Sequence, residues 1–280
     1  PGSGSGNARE TFQEGLHLPA VKLVSRSRTM KEIETIITAN SRTPQLVIGD
    51  IRGQVGAGRL GERRVAELMD KYGEGTVIAA TEQLSRYTED RVRQTIASWR
   101  DGRYEGEGSV DHDGIDLDRP IRIHVIVEKK GERIHFDFSG CSDQTKGPAN
   151  IRPPLVRACC YYSLVALVDP FLPINRGLPR VAETTFREGS IVSPEFPGAV
   201  NTYMPTALAV VEALMKALGN FVPDKRIAEC SGSGAIALGG RALGKSRGYV
   251  QYEIFTGGTG ARLGKDGVTA TAFHLSNCKT

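Results

Sequence analysis

One stretch of the chain carries a phosphate-binding pattern. Residues 239–246, GGRALGKS, match GxxxxGK followed by Ser or Thr letter for letter. In that pattern backbone amides surround the phosphates, and the helix that follows directs its N-terminus at them. Here the next residues, RGYVQYEIF, alternate aromatic and β-branched residues and predict a strand. A self-sufficient phosphate-loop ATPase that uses Lys245 is therefore disfavoured.

Two further groups of residues could carry acid–base or metal chemistry. The acidic segment Asp111–Asp118 resembles a calcium-binding loop, but Ile115 stands where an EF-hand requires Asp or Asn. It predicts a solvated turn between strands instead. His124 and Asp137 are expected to face each other across a hairpin, where they form either an acid–base pair or, as we favour, a half-exposed cross-strand pair.

The cysteines indicate a reducing compartment, which predicts a cytoplasmic protein. Their number is odd, two are adjacent and no CxxC pair occurs. We expect most of these thiols to be packed as small apolar groups, since none has a histidine nearby in the sequence. The five are Cys141, Cys159, Cys160, Cys230 and Cys278.

The most conspicuous element that could position such groups is a glycine-bearing helix predicted over Thr43–Tyr72. Thr43 suits the N-cap, Pro44 suits the first helical position, and apolar residues recur at helical spacing. Four small residues spaced four apart form one ridge, which lets another backbone, a ligand or a partner chain come close. The alternative is two helices broken near Gly56–Gly61. The predicted interface ridge is Gly49, Gly53, Ala57 and Gly61.

The remaining elements predict an α+β fold. A second long helix over Glu74–Arg100 would complete an N-terminal helical hairpin, and mixed strands and helices follow it. In the segment Ile121–Phe138, a turn at Lys130–Gly131 predicts one apolar face from three cross-strand pairs. We expect a helical region over 1–101 and a mixed α/β region over 102–280 of the same large domain. The predicted pairs are Val127 with Ile134, Val125 with Phe136 and Ile123 with Phe138, which place Glu128 opposite Arg133.

Bulk composition excludes some classes of function. The 280 residues carry 36 basic and 32 acidic side chains, a formal charge of +4. This balance is too weak to favour nucleic acid or a membrane surface as a partner. The longest purely apolar run, Leu164–Val168, is far too short to span a bilayer.

Several motifs taken together resemble the hydantoinase B/oxoprolinase family. They occur in order along essentially the whole chain, and several are long enough to make coincidence an unsatisfactory explanation. The motifs are FQEGLHLPAVKL at Phe12–Leu23, NSRTPQLVIGDIRGQVGAGRLGERR at Asn40–Arg64, FDFSGCSDQTKGPAN at Phe136–Asn150, GGTGARLGKDG at Gly257–Gly267 and HLSN at His274–Asn277.

The resemblance implies a part of an ATP-dependent, multi-subunit enzyme. Members of the family hydrolyse cyclic amides such as hydantoins, 5-oxoproline or lactams, and close relatives carboxylate ketones such as acetone and acetophenone. In both branches a separate A-type subunit or domain binds ATP and phosphorylates the small-molecule substrate. We therefore expect ATP on a partner subunit, and a hetero-oligomer.

The chain also departs from the family pattern. The resemblance implies His and Asp ligands to a divalent metal in a segment that precedes the FQEG motif, so we expect no metal ligand among these residues. We expect the chain to be an internal portion or a shortened version of a longer subunit. At 201–206, NTYMPT stands where hydantoinase-type members have a GGN-containing sequence. Asn201 alone carries over there, which leaves the choice between hydrolase and carboxylase open.

Three polar residues in family-like loops are the candidates for lining a cleft: Asn201, Arg262 and His274. For Arg262 and His274, a role in satisfying loop backbone groups is the competing interpretation. Catalytic residues are not identified by the sequence. The main functional hypothesis is a B-type subunit of a cyclic amidase. A ketone-carboxylase subunit, or a non-catalytic scaffold that docks the ATP-binding partner, are the alternatives.

Overall fold

The computed structural model describes residues 6–241, 243–244 and 248–271. A two-residue strand pair and three helices come first: β1 Val24–Ser25, β2 Arg28–Thr29, α1 Lys31–Ala39, α2 Pro44–Tyr72 and α3 Glu74–Ser98. A mixture of strands and helices follows: β3 Gly102–Val110, β4 Ile121–Lys130, β5 Arg133–Asp137, α4 Pro153–Val168, β6 Ala182–Thr185, α5 Met204–Leu218, β7 Ser233–Arg241 and β8 Gly248–Thr256. This mixture confirms the α+β class.

The core lies between a four-stranded sheet and the helices α4 and α5. The strand order is β3-β4-β5-β6, antiparallel except for the parallel pair β5–β6. Alternate residues of β4 face the helices, as the period of two in its sequence requires. The fully buried side chains of this core include Ile123, Val125, Val127, Phe136, Phe138, Leu164, Val210 and Leu214.

Helix α5 lies unusually close to strand β3 because two glycines face it. A Cβ atom on Gly106 would stand 1.9 Å from the carbonyl oxygen of Ala213. The corresponding distance from Gly108 to the carbonyl oxygen of Ala209 would be 2.3 Å. Since real Cβ atoms do not come this near to backbone oxygens, both positions require glycine. The sheet and α5 therefore pack backbone against backbone at this point.

This packing makes Gly106 a sensitive position. The variant Gly106→Ala must displace α5 or bend β3, and we expect it to lower the free energy of unfolding by at least about 2 kcal/mol, as overpacking in a core does. Urea denaturation followed by circular dichroism measures the change. A loss below about 0.5 kcal/mol would contradict the close contact.

The hairpin β4–β5 has the predicted apolar face but a different register. Val127 pairs with Phe136 and Lys130 with Arg133, so every predicted pairing is wrong by two residues. The chain turns through the two residues Gly131 and Glu132, and Gly131 adopts φ 59° there. Because the shift is an even number, each side chain keeps its face of the sheet. Glu128 consequently pairs with His135 and not with Arg133.

The expected His124–Asp137 pair is also wrong for this reason. Asp137 pairs with Ile126, whereas His124 lies opposite Glu107 of β3 and its Nε2 is 3.1 Å from Oε2 of Glu105. The imidazole is buried, and its Nδ1 has no hydrogen-bond partner within the described chain. A Cβ on Gly140 would stand 2.4 Å from that nitrogen. The ring therefore packs in the sheet, with Nδ1 buried and Nε2 beside the Glu105 carboxylate, and it forms no acid–base pair with Asp137.

The glycine-bearing stretch is one continuous helix, α2, which begins at Pro44 after the N-cap residue Thr43, as predicted. The helical hairpin is not confirmed. Helices α2 and α3 meet at Gly73, at φ 85°, and make few contacts for elements of 29 and 25 residues. The side chains that would form a seam between them remain about half exposed: Val65, Leu68, Tyr72, Ile78 and Leu84.

Only the second half of α3 joins the core. Its residues Val92 and Ile96 are fully buried, and Trp99 follows directly. The buried Nζ of Lys129 donates to the carbonyl oxygen of Trp99 at 2.6 Å and to Oδ1 of Asp101 at 2.8 Å. This ammonium group thus ties the C-terminal end of α3 to the sheet, while the first half of α3 extends away from it with α2.

The glycine ridge of α2 faces open space. A Cβ atom added at Gly49, Gly53 or Gly61 would meet no atom within 4 Å. Within the described helices, moreover, none has the length and apolar character that crossing a membrane requires.

An exposed helical glycine that contacts nothing destabilises its helix. We expect Gly53→Ala to raise the free energy of unfolding of the isolated chain by about 0.5–1 kcal/mol, because alanine has the higher helix propensity. The same urea titration measures it, and Gly106→Ala is the matched control of opposite sign. A destabilised Gly53→Ala variant would indicate a contact of this ridge within the chain.

Candidate functional site

Four segments of the chain converge near the N-terminal end of α5, and we call this region the loop junction. It comprises residues 10–14, 113–116, 144–150 and 196–203. Its centre is the fully buried Asn150. The Asn150 Nδ2 donates to the carbonyl oxygens of Ala199, Gly147 and Thr145 at 2.9, 3.1 and 3.1 Å, and its Oδ1 accepts from the Thr145 amide at 2.8 Å. One amide side chain therefore fixes two of the four segments against each other.

The carboxylate of Glu14 holds the segment that carries Asn201. Its Oε1 accepts hydrogen bonds from the backbone amides of Val200 at 2.7 Å and Asn201 at 2.5 Å. The Thr11 amide donates to the carbonyl oxygen of Pro197 at 2.7 Å, and the rings of Phe12 and Phe196 meet edge to face at 5.4 Å. The residues FQEG thus bind along 196–201 and determine its position.

Asp113 organises the third segment. Its carboxylate accepts the backbone amides of Ile115, Asp116 and Gly147 at 2.8, 2.7 and 2.8 Å. Burial alone favours the neutral acid, but these hydrogen bonds outweigh that effect and lower the pKa of Asp113. Its carboxylate oxygens are thereby used by the backbone. The segment Asp111–Asp118 connects β3 to β4, as the predicted turn between strands requires, although Asp113 itself is buried and not solvated.

Asn201 is half-buried and lies two residues before Tyr203, the N-cap residue of α5. The next residue, Thr202, donates its amide to the carbonyl oxygen of Pro148 at 3.0 Å, and its buried Oγ1 has no hydrogen-bond partner within the described chain. Thr206 Oγ1 donates to the carbonyl oxygen of Ala149 at 2.6 Å. The N-terminus of α5 carries a partial positive charge, so the junction combines amide, hydroxyl and helix-end groups that suit an anionic or carbonyl ligand.

Arg262 lies in a different place. It lines an open cleft of about 490 Å³ with Asp224 and Arg226, next to the C-terminal end of α5, whereas Asn201 lies at the N-terminal end. The Arg262 amide donates to the carbonyl oxygen of Lys265 at 2.9 Å, which closes a turn. The fifteen residues of α5 separate the two ends by about 22 Å at 1.5 Å per residue. The structure therefore does not bring these two predicted cleft residues together, and His274 lies outside the described residues.

The described cysteines are not activated nucleophiles. Cys141, Cys159 and Cys160 are buried. Burial raises the pKa of Cys141 to about 11 and that of Cys159 to about 12, and it raises the pKa of Cys160 as well. Burial also raises the pKa of the half-buried Cys230. These thiols are protonated at neutral pH, as expected for small packed side chains; Cys278 lies outside the described part of the chain.

Comparison with known proteins identifies the family. The family model described as hydantoinase B/oxoprolinase matches residues 1–280. The chain belongs to this family. A member from Pseudomonas sp. (strain NS671), named as the B-type subunit of a putative D-/L-hydantoinase, is 34% identical over 100% of this chain and 49% of its own length. The acetophenone carboxylase delta subunit of Aromatoleum aromaticum is 24% identical over 98% of this chain and 41% of its own length.

Two solved structures have the same fold. The ATP-dependent caprolactamase from Pseudomonas jessenii matches with a TM-score of 0.79 and 25% identity, over 94% of this chain and 46% of that chain. The nucleotide-free acetone carboxylase structure matches with a TM-score of 0.78 and 16% identity, over 95% of this chain and 38% of that chain. This likeness concerns the fold alone. The chain spans about half the length of the first curated relatives it matches.

The metal site that the hydantoinase B/oxoprolinase family implies is not found among the described residues. Among residues 6–241, 243–244 and 248–271, no group of three or more His, Cys, Asp or Glu side chains could hold a metal ion. The phosphate-loop pattern also lacks its structural context where it is described. Gly239, Gly240 and Arg241 belong to β7, and the next element is strand β8 and not a helix. Lys245 lies outside the described residues.

Three residues of the loop junction were not predicted as site residues: Glu14, Asp113 and Asn150. Glu14 and Asn150 fall inside motifs that carry the family resemblance. These motifs identified the segments that contain the two residues, but not the structural roles of their side chains. Their partners are 186 and 49 residues distant in the chain. Local sequence patterns do not contain such long-range pairings.

The junction predicts a specific pH dependence of stability. The pKa of Asp113 is lower in the folded chain than its unfolded value of about 3.9. Its ionised form therefore stabilises the fold above about pH 4, and this contribution is lost as the pH falls through the folded-state pKa. We expect Asp113→Asn to lower the free energy of unfolding at pH 7 by about 1–3 kcal/mol, as for lost hydrogen bonds to a charged group. The variant should also lose less stability than the parent between pH 5 and pH 3.

Urea titrations at pH 7, 5 and 3 measure both effects. The exposed Asp111 in the same turn provides the matched control, Asp111→Asn. An equal effect of the two substitutions at pH 7 would refute the special role of Asp113.

Proposed function

We propose that this protein is the B-type part of an ATP-dependent enzyme that opens a cyclic amide such as a hydantoin, 5-oxoproline or a lactam. The observation that carries the proposal is the 34% identity, over the whole chain, to the relative named as a B-type hydantoinase subunit. The 25% identity and TM-score of 0.79 with the caprolactamase structure support the same branch. Identity to the acetophenone carboxylase delta subunit is lower, at 24%.

The proposed assembly is a hetero-oligomer with an A-type subunit that holds ATP. Relatives are named as B-type, beta and delta subunits, which are names of parts of larger enzymes. In this scheme the partner transfers a phosphoryl group from ATP to the amide oxygen and releases ADP. Water then adds to the activated carbon, the C–N bond of the ring breaks, and the nitrogen takes a proton. A second water hydrolyses the resulting acyl phosphate to a carboxylate and phosphate. The divalent metal of the family would take its ligands from outside the described residues. The thiols of Cys141, Cys159 and Cys160 fit a reducing cytoplasm.

The role we assign to this chain is to bind and orient the activated amide at the loop junction. Asn201 offers both a hydrogen-bond donor and an acceptor, which complement the N–H and C=O of an amide ring. The partial positive charge at the start of α5 favours the negative charge that develops on the phosphorylated or hydrated carbonyl. Glu14, through its two hydrogen bonds to the backbone of Val200 and Asn201, keeps this segment in place.

The assay that tests the function uses the intact complex, purified through a tag on this chain. Phosphate release from ATP is measured with hydantoin, 5-oxoproline or caprolactam, and separately with acetone or acetophenone plus bicarbonate. We expect release that depends on a cyclic amide. Release that depends only on ketone and bicarbonate would reject the amidase and establish the second candidate, a carboxylase, for which the fold likeness to acetone carboxylase is the supporting observation.

Substitution of Asn201 separates a catalytic role from a scaffold role. We expect Asn201→Ala to lower the rate of ring opening at least about 10-fold, as for loss of a transition-state hydrogen bond of about 1.4 kcal/mol or more. ATP consumption by the partner should continue, so the ratio of product to ATP should fall. Asn220→Ala at the other end of α5 is the control. An unchanged ratio for Asn201→Ala would favour the non-catalytic scaffold.

A further inference from the structure

A stripe of leucines and small residues, interrupted by Asp50 and Arg64, lies exposed along α2. On a helix of 3.6 residues per turn, Leu46, Leu60 and Leu68 fall on the same side as the ridge of Gly49, Gly53, Ala57 and Gly61. The three leucines are 52%, 45% and 47% exposed. Because α2 has 29 residues, the stripe follows a helix about 43 Å long. It alternates large side chains with positions at which a second backbone can come close.

The rest of the chain covers a different side of α2. Nη2 of Arg52 is 2.6 Å from Oε1 of Glu34 on α1, and Nη2 of Arg59 donates to the carbonyl oxygen of Ser27 at 3.1 Å. The buried Ile48 lies on that side as well. Hence α1 and the turn before it leave the leucine–glycine stripe facing outward. Asp50 and Arg64 lie within the stripe, and both are exposed.

The order of residues along the stripe is partly self-complementary about Ala57, although in that register Gly49 lies opposite Val65 and Leu60 opposite Gln54. Gly53 and Gly61 each lie four residues from Ala57, and Leu46 and Leu68 each lie eleven residues from it. In an antiparallel pair of identical helices, residues equidistant from the two-fold axis face each other. Such a pair would place small residue against small residue at the centre, and leucine against leucine toward both ends.

The charges have the same symmetry with opposite sign. Asp50 and Arg64 each lie seven residues from Ala57, so each carboxylate would face the guanidinium of the other copy, twice in the pair. In the single chain, Nη1 of Arg64 contacts Oε2 of Glu67 at 2.8 Å. That pair is exposed and of small energy, so it does not prevent Arg64 from turning toward a second carboxylate. Complementary charges fix the register of such an interface.

We propose that α2 pairs antiparallel with α2 of a second copy of this chain, with Ala57 on the two-fold axis. The glycine ridges then pack against each other at a shallow crossing angle, which removes the exposed leucines from water and brings Asp50 opposite Arg64 of the other copy. One helix pair is smaller than the roughly 800 Å² per partner of a standard interface, so a dissociation constant on the order of micromolar is expected. The pairing does not depend on the proposed enzymatic function.

A symmetric cross-link tests the register directly. In the variant Ala57→Cys the two introduced thiols meet at the axis, and mild oxidation should join most of the purified protein into a covalent homodimer on a non-reducing gel. The parent protein and Ala66→Cys, which is exposed on the opposite side of α2, should remain uncoupled. A cross-link of Ala57→Cys to a different polypeptide, or none at all, would overturn the proposal in favour of another occupant of this face.

Charge reversal tests the complementarity. Sedimentation equilibrium should show that Asp50→Arg weakens dimerisation at least about five-fold, because it places arginine against arginine, and that Arg64→Asp does the same. The double variant Asp50→Arg/Arg64→Asp should recover the parent affinity, since it restores both opposite-charge pairs. Asp50 and Arg64 are both exposed, and circular dichroism checks that folding is unchanged. A monomeric parent at about 100 µM, or a double variant as weak as the single ones, would refute the pairing.

Discussion

The contact between α5 and β3 is the constraint on which the arrangement of the chain depends. Gly106 and Gly108 remove the side chains that would otherwise separate the helix from the strand, so the carbonyl oxygens of Ala213 and Ala209 lie against the backbone of β3. The direction and height of α5 over the sheet are thereby fixed. Fully buried residues on the inner face of α5, among them Val210 and Leu214, then fill the layer between the sheet and α4.

The position of the loop junction follows from that contact. The N-terminal end of α5 can lie only beyond those ends of the strands from which the loops at 111–118 and 141–152 emerge. Asn150 and Asp113 satisfy the backbone groups of these loops, which would otherwise be buried without partners. Thr206 adds a hydrogen bond from the first turn of α5 to the carbonyl oxygen of Ala149. The segment FQEG is held on the outside of this network by Glu14, so its position depends on α5 as well.

The sequence correctly predicted those features of the fold that depend on local sequence patterns. The alternation of β4 and β5 gave the correct apolar face, and Thr43–Pro44 gave the correct start of α2. The register was wrong by two residues because both turns preserve the face, and only the backbone conformation at Gly131 and Glu132 selects between them. The helical hairpin failed for a different reason. Two amphipathic helices in succession indicate that apolar faces must be covered, but not that they cover each other.

The candidate site was accessible to sequence reasoning only in part. Asn201 was identified through a family motif, but its supporting residues act across long separations in the chain. The bond from Glu14 to Asn201 spans 187 residues. Arg262 and Asn201 were both predicted as cleft residues because they are polar residues in family-like loops, although the length of α5 separates the ends at which they lie. Composition and loop chemistry identify polar surfaces, whereas the distance between two such surfaces is a property of the packed helices.

Glycine has two opposite uses in this chain, and the difference bears on assembly. At Gly106, Gly108 and Gly147 a Cβ would collide with backbone atoms, so the close contact that needs glycine is already made within the chain. At Gly49, Gly53, Gly56, Gly58 and Gly61 a Cβ would meet nothing, and each residue weakens the helix by about 1 kcal/mol relative to alanine. Their sum, about 5 kcal/mol, is comparable with the whole stability of many domains. A loss of helix stability of that size is difficult to reconcile with a solvent-facing α2 in which the glycines make no close contact. The proposed pairing of α2 with a second copy of the chain gives these glycines such a contact, and on that proposal α2 is one half of an interface.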